Sequence, residues 1–429
     1  MADFKDKLKR MLWPHPPGRQ AGPPPPPPIT SHVINTREGQ AKIHIRSLPD
    51  HGCAMVVDGH FLVSLNITSH FILRMKLEGK GNDSIRAELK GKFESASQAL
   101  IDEDIEKISL LLQRLEEEGT RRLAGLHSGN FPANPLSLRF PFRADIELRD
   151  LDNLEALGRE EGMRMLENLH GWGVISVRFI SRGELETTPV VGLVEKTQDM
   201  GIISGILMKG REVTDGLLER LLAAGLDYFE IPVFSNQRSE HEDIEGPGTY
   251  DSDFEGIRKI MTAPGEAAVI VDFTVAGFNI DNIRPTLELV KRYGVRNVSI
   301  GAILVPDALG RGGLGITLGE YEHAVVAVEE AADSLGINYT FQSPAWFRDK
   351  NPKSIDGWQW KCTAGENAPS IRTNGDIAPC LHSEKKAGNI MDSGSLWNIP
   401  LPIEMLTDTP ADEVDYVTLC NRCSEKLQV

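Results

Sequence analysis

The stretch VISVRFI, residues 174–180, is one of six short apolar segments that recur along the middle of the chain. These segments are rich in β-branched and aromatic residues, and each is followed by enough chain for a helix. A spacing of about 25–40 residues is typical of strand–helix units that build a parallel sheet. The predicted strands lie near 142–148, 174–180, 202–208, 227–233, 267–275 and 297–304.

Six strand–helix units exceed what a flavodoxin-like half needs and fall short of a closed eightfold barrel. We therefore predict an α/β chain whose centre, residues 136–350, is a partial (β/α)6 TIM-like barrel. The full length of 429 residues leaves room for further domains on both sides of this centre.

Composition excludes some classes of function. The chain carries 62 acidic and 46 basic side chains, a formal net charge of -16, which argues against broad binding to nucleic-acid phosphates. No uncharged apolar run approaches the roughly 18 residues of a membrane-spanning helix. The N-terminus MADFKDKLKRML lacks the apolar segment of a secretory signal, so we expect a cytoplasmic protein.

The N-terminal third divides into a linker and a small domain. Residues 1–30 read as a tail and a proline-rich linker, with six consecutive prolines at 23–28, and an extended spacer is the favoured interpretation. Residues 31–120 read as a winged-helix-like α+β domain. Asp58-Gly59 predicts a tight hairpin, and Asn66 predicts the start of a helix.

Four of the five cysteines lie in the last segment, 356–429, and the fifth, Cys53, is predicted to be a buried apolar residue. A C-x2-C pair places two thiolates on one turn, and two distant cysteines complete a set of four. Four thiolates suit either tetrahedral zinc or a [4Fe–4S] cluster, and the spacing leaves both open. The set is Cys362, Cys380, Cys420 and Cys423.

The residues around these cysteines resemble the SPASM/twitch extension of radical S-adenosylmethionine (SAM) enzymes. The matching segments are Cys362-Thr-Ala-Gly, Gly375-Asp-Ile-Ala-Pro-Cys380 and Gly388-Asn-Ile, followed by Trp397. The twitch form of this extension holds one auxiliary [4Fe–4S] cluster with four cysteines. The resemblance therefore favours one [4Fe–4S] cluster, with zinc as the alternative.

The central region resembles the radical SAM partial barrel. That family has I-E-L-T-x-x-C-N-L-x-C-x-x-C where this chain reads IELRDLDNLEALGR, residues 146–159. The three cysteine positions are occupied by Asp152, Ala156 and Arg159, and no cysteine occurs between Cys53 and Cys362. Because these thiolates hold the cluster that cleaves SAM, the resemblance implies a barrel that has lost this chemistry.

A second family motif is also incomplete. Arg182-Gly-Glu-Leu185 resembles the G-G-E-P motif that cradles the SAM amino group, with only Gly183 and Glu184 retained. We interpret these two as vestigial SAM contacts and expect SAM not to bind. The alternative for Glu184 is an ordinary carboxylate at the end of a strand.

Residues 40–119 resemble the RiPP recognition element, a domain of enzymes that modify ribosomally made peptides. The carrying residues include Val63-Ser-Leu-Asn66-Ile-Thr68. The resemblance implies that a peptide adds a strand to the edge of the sheet beside the third helix. The residues expected to contact it are Phe61, Val63, Leu65, Ile108 and Leu112. Docking of this domain within the chain is the alternative, and the acidic third helix disfavours DNA.

Three functions follow as hypotheses. The leading one is a pseudoenzyme with one auxiliary [4Fe–4S] cluster that binds a precursor peptide or an active radical SAM enzyme. The second is an enzyme of altered, non-radical chemistry that still binds SAM and uses Glu184, Asp152 or Arg159. The third is an interaction scaffold held together by zinc.

Overall fold

The structure is a computed structural model that describes residues 29–37, 39–48, 52–59, 61–92, 97–118, 143–150, 155–302, 314–343, 345–348, 358–361, 368–378, 380–381 and 386–392. The predicted tail and proline-rich tract up to residue 28 lie outside the described residues, as do Asp152, Cys362, Cys420 and Cys423.

The N-terminal domain begins with a four-stranded antiparallel sheet, here called the N-terminal sheet. Its strands run in chain order, and each pairs with the next. The predicted Asp58-Gly59 hairpin is confirmed. Both residues have positive φ, 50° and 76°, as a type I′ turn requires at its two central positions. The strands are β1 (Ile29–Thr36), β2 (Gly39–Leu48), β3 (Gly52–Val57) and β4 (Phe61–Leu65).

Three helices cover one face of this sheet: α1 (Ile67–Leu77), α2 (Asn82–Lys92) and α3 (Gln98–Glu118). The Asn66 side chain accepts a hydrogen bond from Ser69 N and caps α1, as predicted. Cys53 is fully buried in the core between sheet and helices. The prediction that Cys53 is buried is thus confirmed, and burial raises the pKa of its thiol.

Seven parallel strands form a second sheet, here called the large sheet. All six predicted strands are present; the seventh, β11, was not predicted because only two residues of its sequence NYTFQS are apolar. A mixed α/β chain with a large parallel sheet is thus confirmed. The strands are β5 (Arg143–Glu147), β6 (Ser176–Ile180), β7 (Ile203–Leu207), β8 (Tyr228–Pro232), β9 (Ala268–Val275), β10 (Asn297–Ala302) and β11 (Asn338–Ser343).

Amphipathic helices connect these strands and bury their apolar faces against one side of the large sheet in a single core. They are α4 (Arg159–Trp172), α5 (Val190–Met200), α6 (Asp215–Ala223), α7 (Arg238–Glu245), α8 (Thr249–Thr262), α9 (Ile283–Arg292) and α10 (Leu318–Leu335).

The C-terminal segment extends the large sheet. β12 (Ala345–Arg348) and β13 (Trp358–Lys361) pair as a separate ribbon. β14 (Ser370–Ile371) then runs parallel to β5, and β15 (Asp376–Ala378) and β16 (Gly388–Asn389) follow it in antiparallel order. This small hairpin places Cys380 two residues beyond β15.

The second face of the N-terminal sheet packs against the beginnings of the parallel strands. Ala54 and Val56 share a buried cluster with Ile175, Ile203 and Tyr228. Lys42 Nζ lies 2.7 Å from Asp227 Oδ1. The N-terminal sheet is therefore covered on both faces, by its own helices and by the large sheet.

None of the helices that the structure describes is both long and apolar enough to cross a membrane.

Candidate functional site

The candidate site lies where β5 and β6 end, at the edge of the large sheet opposite the N-terminal sheet. The chain leaving β5 folds back on itself through two backbone hydrogen bonds, Leu157 N to Leu148 O and Asp150 N to Glu155 O, both 2.9 Å. Two of the three cysteine-equivalent positions, Ala156 and Arg159, belong to this turn and its exit. Ala156 is exposed, Arg159 is the exposed first residue of α4, and Asp152 lies outside the described residues.

The loop after β6 has an unusual backbone. Gly183 has φ 97° and Glu184 has φ 47°, so two consecutive residues adopt left-handed conformations. This conformation is strained for glutamate and is retained only when surrounding contacts favour it. The side chain of Glu184 is 81% exposed, so this residue contributes to the site through its backbone carbonyl.

Arg149 supplies those contacts. Its Nε donates to Gly183 O at 2.9 Å, and its Nη2 donates to Glu184 O at 3.2 Å. The same Nη2 donates to Thr187 Oγ1 and lies 3.3 Å from Glu184 Oε2. The Arg149 side chain is only 11% exposed. A guanidinium from the end of β5 therefore fills the carbonyl cradle made by the loop after β6.

These residues do not fit the SAM-cleaving cluster and its SAM. Ala156 has no ligand atom, and Arg159 is a cation, so neither replaces a thiolate. By the resemblance, Gly183 and Glu184 belong to the motif that cradles the amino group of SAM, whereas here Arg149 donates to the backbone carbonyl oxygens of both residues.

The C-terminal hairpin contributes a second group to the same edge. Arg372 Nη1 donates to Glu147 at the end of β5, and Ser370 Oγ donates to the same carboxylate at 3.4 Å. Arg182 Nη2, from the loop after β6, lies 3.4 Å from that oxygen. The fully buried Glu147 thus joins β5, β6 and the hairpin that precedes Cys380.

Of the four predicted metal ligands, the structure describes only Cys380, which is half-buried. Among the described residues there is no group of three or more side chains arranged to hold a metal. Four thiolates remain a donor set suited to a [4Fe–4S] cluster. When bound, such a cluster would supply a redox centre or a crosslink for the C-terminal segment.

Charged side chains of several parallel strands form a cluster on the large sheet. Arg178 donates to both oxygens of Asp145, at 3.0 and 2.7 Å, and to Glu230 at 2.8 Å. Burial, together with the nearby Glu230, raises the pKa of Asp272 to about 7. These strands therefore carry a cluster of paired charges beside the Asp272 carboxyl, whose raised pKa keeps it protonated over much of the acidic range.

The predicted peptide-binding residues lie mostly in the domain core. Phe61, Val63, Leu65 and Ile108 are buried between the N-terminal sheet and its helices, and Leu112 is half-buried. Their side chains are therefore used for packing. A peptide can pair with the backbone of this sheet, because β4 is an outer strand. The helix α3 packs against α1 and β1.

Sequence reasoning missed Arg149 and Arg372. The signal for a polar interior was present in RADIE, residues 143–147, where charged residues alternate with apolar ones. No comparable signal marks Arg149, because its role depends on the orientation of two carbonyls in another loop.

Comparisons with known proteins agree with this description. No family model matches the chain. A GTP 3',8-cyclase of Clostridium botulinum is 24% identical over 266 residues, which are 58% of this chain and 82% of the relative. A PqqA peptide cyclase of Granulibacter bethesdensis is 22% identical over 274 residues, 62% of this chain and 67% of the relative.

These relatives are radical SAM proteins. The resemblance of the chain to radical SAM proteins, predicted from the sequence, is confirmed. Among solved structures, Streptococcus suis SuiB bound to its precursor peptide SuiA has a TM-score of 0.53 at 14% identity, and the match covers 87% of this chain and 89% of SuiB. SuiB bound to S-adenosylmethionine gives a TM-score of 0.52 over 87% of this chain and 88% of SuiB. The likeness to SuiB concerns the fold.

Proposed function

We propose that this chain is a radical SAM-like pseudoenzyme that acts as the peptide- or partner-binding component of a peptide maturation system. Its parallel sheet is the partial barrel of that family. Its C-terminal segment carries one auxiliary [4Fe–4S] cluster on Cys362, Cys380, Cys420 and Cys423. The partner is a precursor peptide, an active radical SAM enzyme, or both.

The occupation of the carbonyl cradle by Arg149 is the observation that carries this proposal. An ammonium group and a guanidinium compete for the same acceptors, because both are cations that donate hydrogen bonds. The internal guanidinium is covalently held beside Gly183 and Glu184, so a free ligand must displace it before it can bind the same carbonyl oxygens. The substitutions at Ala156 and Arg159 point the same way.

Three lines support the peptide part. The PqqA peptide cyclase is named for a peptide substrate, and SuiB was solved with its precursor peptide. The N-terminal sheet of this chain has the edges that strand addition needs. The acidic third helix is unsuited to nucleic acid.

Titration calorimetry with SAM tests the pseudoenzyme part. We expect no heat of binding at millimolar SAM for the intact chain. The Arg149→Ala variant removes the guanidinium from the carbonyl cradle and so tests whether Arg149 is the group that competes with SAM. Arg164→Ala, which removes an exposed arginine of α4, is the matched control. Binding of SAM by the unmodified chain would favour the second hypothesis, an enzyme of altered chemistry.

Anaerobic reconstitution with iron and sulfide tests the cluster. We expect about four irons per chain, lost when Cys420 and Cys423 are both replaced by serine. Cys53→Ala should keep the iron, because that thiol is buried in the N-terminal domain. Zinc in the freshly isolated protein would favour the scaffold hypothesis, and about eight irons would contradict a single cluster.

Fluorescence anisotropy with a labelled precursor peptide, taken from a short reading frame beside the gene, tests the partner. We expect saturable binding that does not depend on added SAM. A chain that binds neither this peptide nor a neighbouring radical SAM enzyme would contradict the proposed role.

A further inference from the structure

Strand β1 is the least anchored strand of the N-terminal sheet. None of its side chains is fully buried and Val33 is 40% exposed, whereas every residue of β3 is buried. Its apolar contacts come from the half-buried Ile29 and Ile34. The polar contacts that hold β1 include an antiparallel ladder of eight residue pairs with β2 and one hydrogen bond, 2.9 Å long, between Ser31 Oγ and His44 Nδ1. Backbone ladders accept many sequences, so another extended segment can form the same pairing.

The position of β1 is that of a peptide lying in a groove. One wall is the edge of β2, and the other is α3, which packs on β1. Arg37 N, just after β1, donates to Glu116 O near the end of α3 at 2.6 Å. The resemblance implied that a peptide would bind beside α3. In the structure, β1 lies beside α3 instead.

Among the described strands β1 pairs only with β2, so its departure disrupts no other described strand pairing. It is the first described strand, it is preceded in sequence by the proline-rich tract, and it joins β2 through the short turn at Arg37. An edge strand that pairs with one neighbour is the type of element that another extended segment can replace.

We propose that β1 is an internal occupant of a peptide-binding edge, and that an extended segment of a partner peptide displaces it and pairs with β2. This inference rests on the proposed peptide-binding function and names the edge. The segment is about eight residues long, with apolar side chains at the positions of Ile29 and Ile34. A basic residue follows it at the position of Arg37, beside the acidic C-terminal end of α3.

The tethered strand β1 competes with a free peptide for β2, and this competition determines how much a substitution in β1 changes the affinity for the peptide. A segment held by a short connection competes at an effective concentration in the millimolar range. The apparent affinity for a free peptide falls by the fraction of time that the edge is open. Weakening β1 by substitution should therefore tighten the binding of a free peptide by about tenfold or more.

The test uses the full chain and a fluorescein-labelled peptide of residues 29–36, ITSHVINT, followed by fluorescence anisotropy. Ile34→Asp removes the half-buried contact of β1 and should bind this probe at least about tenfold more tightly than the unmodified chain. Val33→Asp changes the exposed neighbour and should bind the probe within about twofold of the unmodified chain. A chain carrying Ile34→Asp that binds the probe no more tightly than one carrying Val33→Asp would overturn the proposal.

A lock gives the opposite perturbation without weakening the fold. Asn35 and Gln40 are paired across β1 and β2, and both are exposed. Asn35→Cys with Gln40→Cys should form a disulfide at this pair. We expect the locked chain to lose probe binding and to regain it on reduction. Unchanged binding in the locked chain would also overturn the proposal. Because the probe is the chain's own strand, these results do not depend on whether a precursor peptide or SAM binds.

Discussion

The stability of this chain should fall as the pH is lowered from 7.5 to 5, because His44 is buried without a charge. His44 is 4% exposed in the contact between the N-terminal sheet and the large sheet. Burial lowers its pKa to about 4, although Asp227 acts in the opposite direction. Asp227 Oδ1 lies 3.5 Å from His44 Nε2 but only 2.7 Å from Lys42 Nζ. That carboxylate is already paired, so burial dominates.

The magnitude follows from linkage. The unfolded chain binds a proton at His44 below pH 6.5, whereas the folded chain does so only near pH 4. Stability is therefore complete above pH 6.5 and is lost as the pH falls toward 4. The loss from this residue is about 2 kcal/mol at pH 5 and about 3.4 kcal/mol at its limit.

Urea unfolding at pH 7.5 and pH 5 measures this term. His44→Gln should lose about 2 kcal/mol less than the unmodified chain between the two pH values. Lys42→Met should also reduce the loss, since it leaves Asp227 to pair with a protonated His44. His70, whose pKa burial also lowers to about 4, remains in both variants and accounts for a residual dependence. An equal loss in His44→Gln and in the unmodified chain would refute the reasoning.

Two further substitutions test the core. A β-carbon on Gly256 would lie 1.9 Å from the carbonyl oxygen of Gly210, so Gly256→Ala should destabilise the chain by about 2 kcal/mol or more in urea unfolding. Gly216→Ala, with open space around it, should change stability by less than about 1 kcal/mol. Asp272→Asn should raise stability at pH 8 by about 4 kcal/mol and leave it nearly unchanged near pH 3.5, because the raised pKa makes folding oppose ionisation of that carboxyl. A stability difference for Asp272→Asn that does not vary with pH would contradict the raised pKa of the Asp272 carboxyl.

The sequence predicts most of the fold because its strands are apolar and regularly spaced. β6 and β9 are recognisable from single segments, and the Asp58-Gly59 turn follows from residue type. β1 and β11 were not predicted as strands, because ITSHVINT and NYTFQS carry few apolar residues. Such strands are held by backbone pairing with a neighbour, which a local pattern does not show.

The candidate site is harder to predict for a related reason. The sequence places Gly183 and Glu184 in one loop, but the contact with Arg149 arises from the register of two strands, where Leu148 N donates to Ile180 O at 3.1 Å. The alternation in β4 marks Phe61 and the residues in phase with it as one face. It does not reveal that both faces of that sheet are covered.

The N-terminal sheet packs at the beginnings of the parallel strands. A peptide bound to this sheet must therefore have a minimum length to reach the opposite ends of those strands. The loops after β5 and β6 lie at the far end of strands five residues long, a distance of about 16 Å at roughly 3.3 Å per residue. A path around a covering helix adds about 10 Å. A peptide anchored on β2 therefore needs roughly eight extended residues beyond its anchor before any part of it touches that edge. Partners would be sorted by the length of this tether as well as by the side chains that grip the sheet.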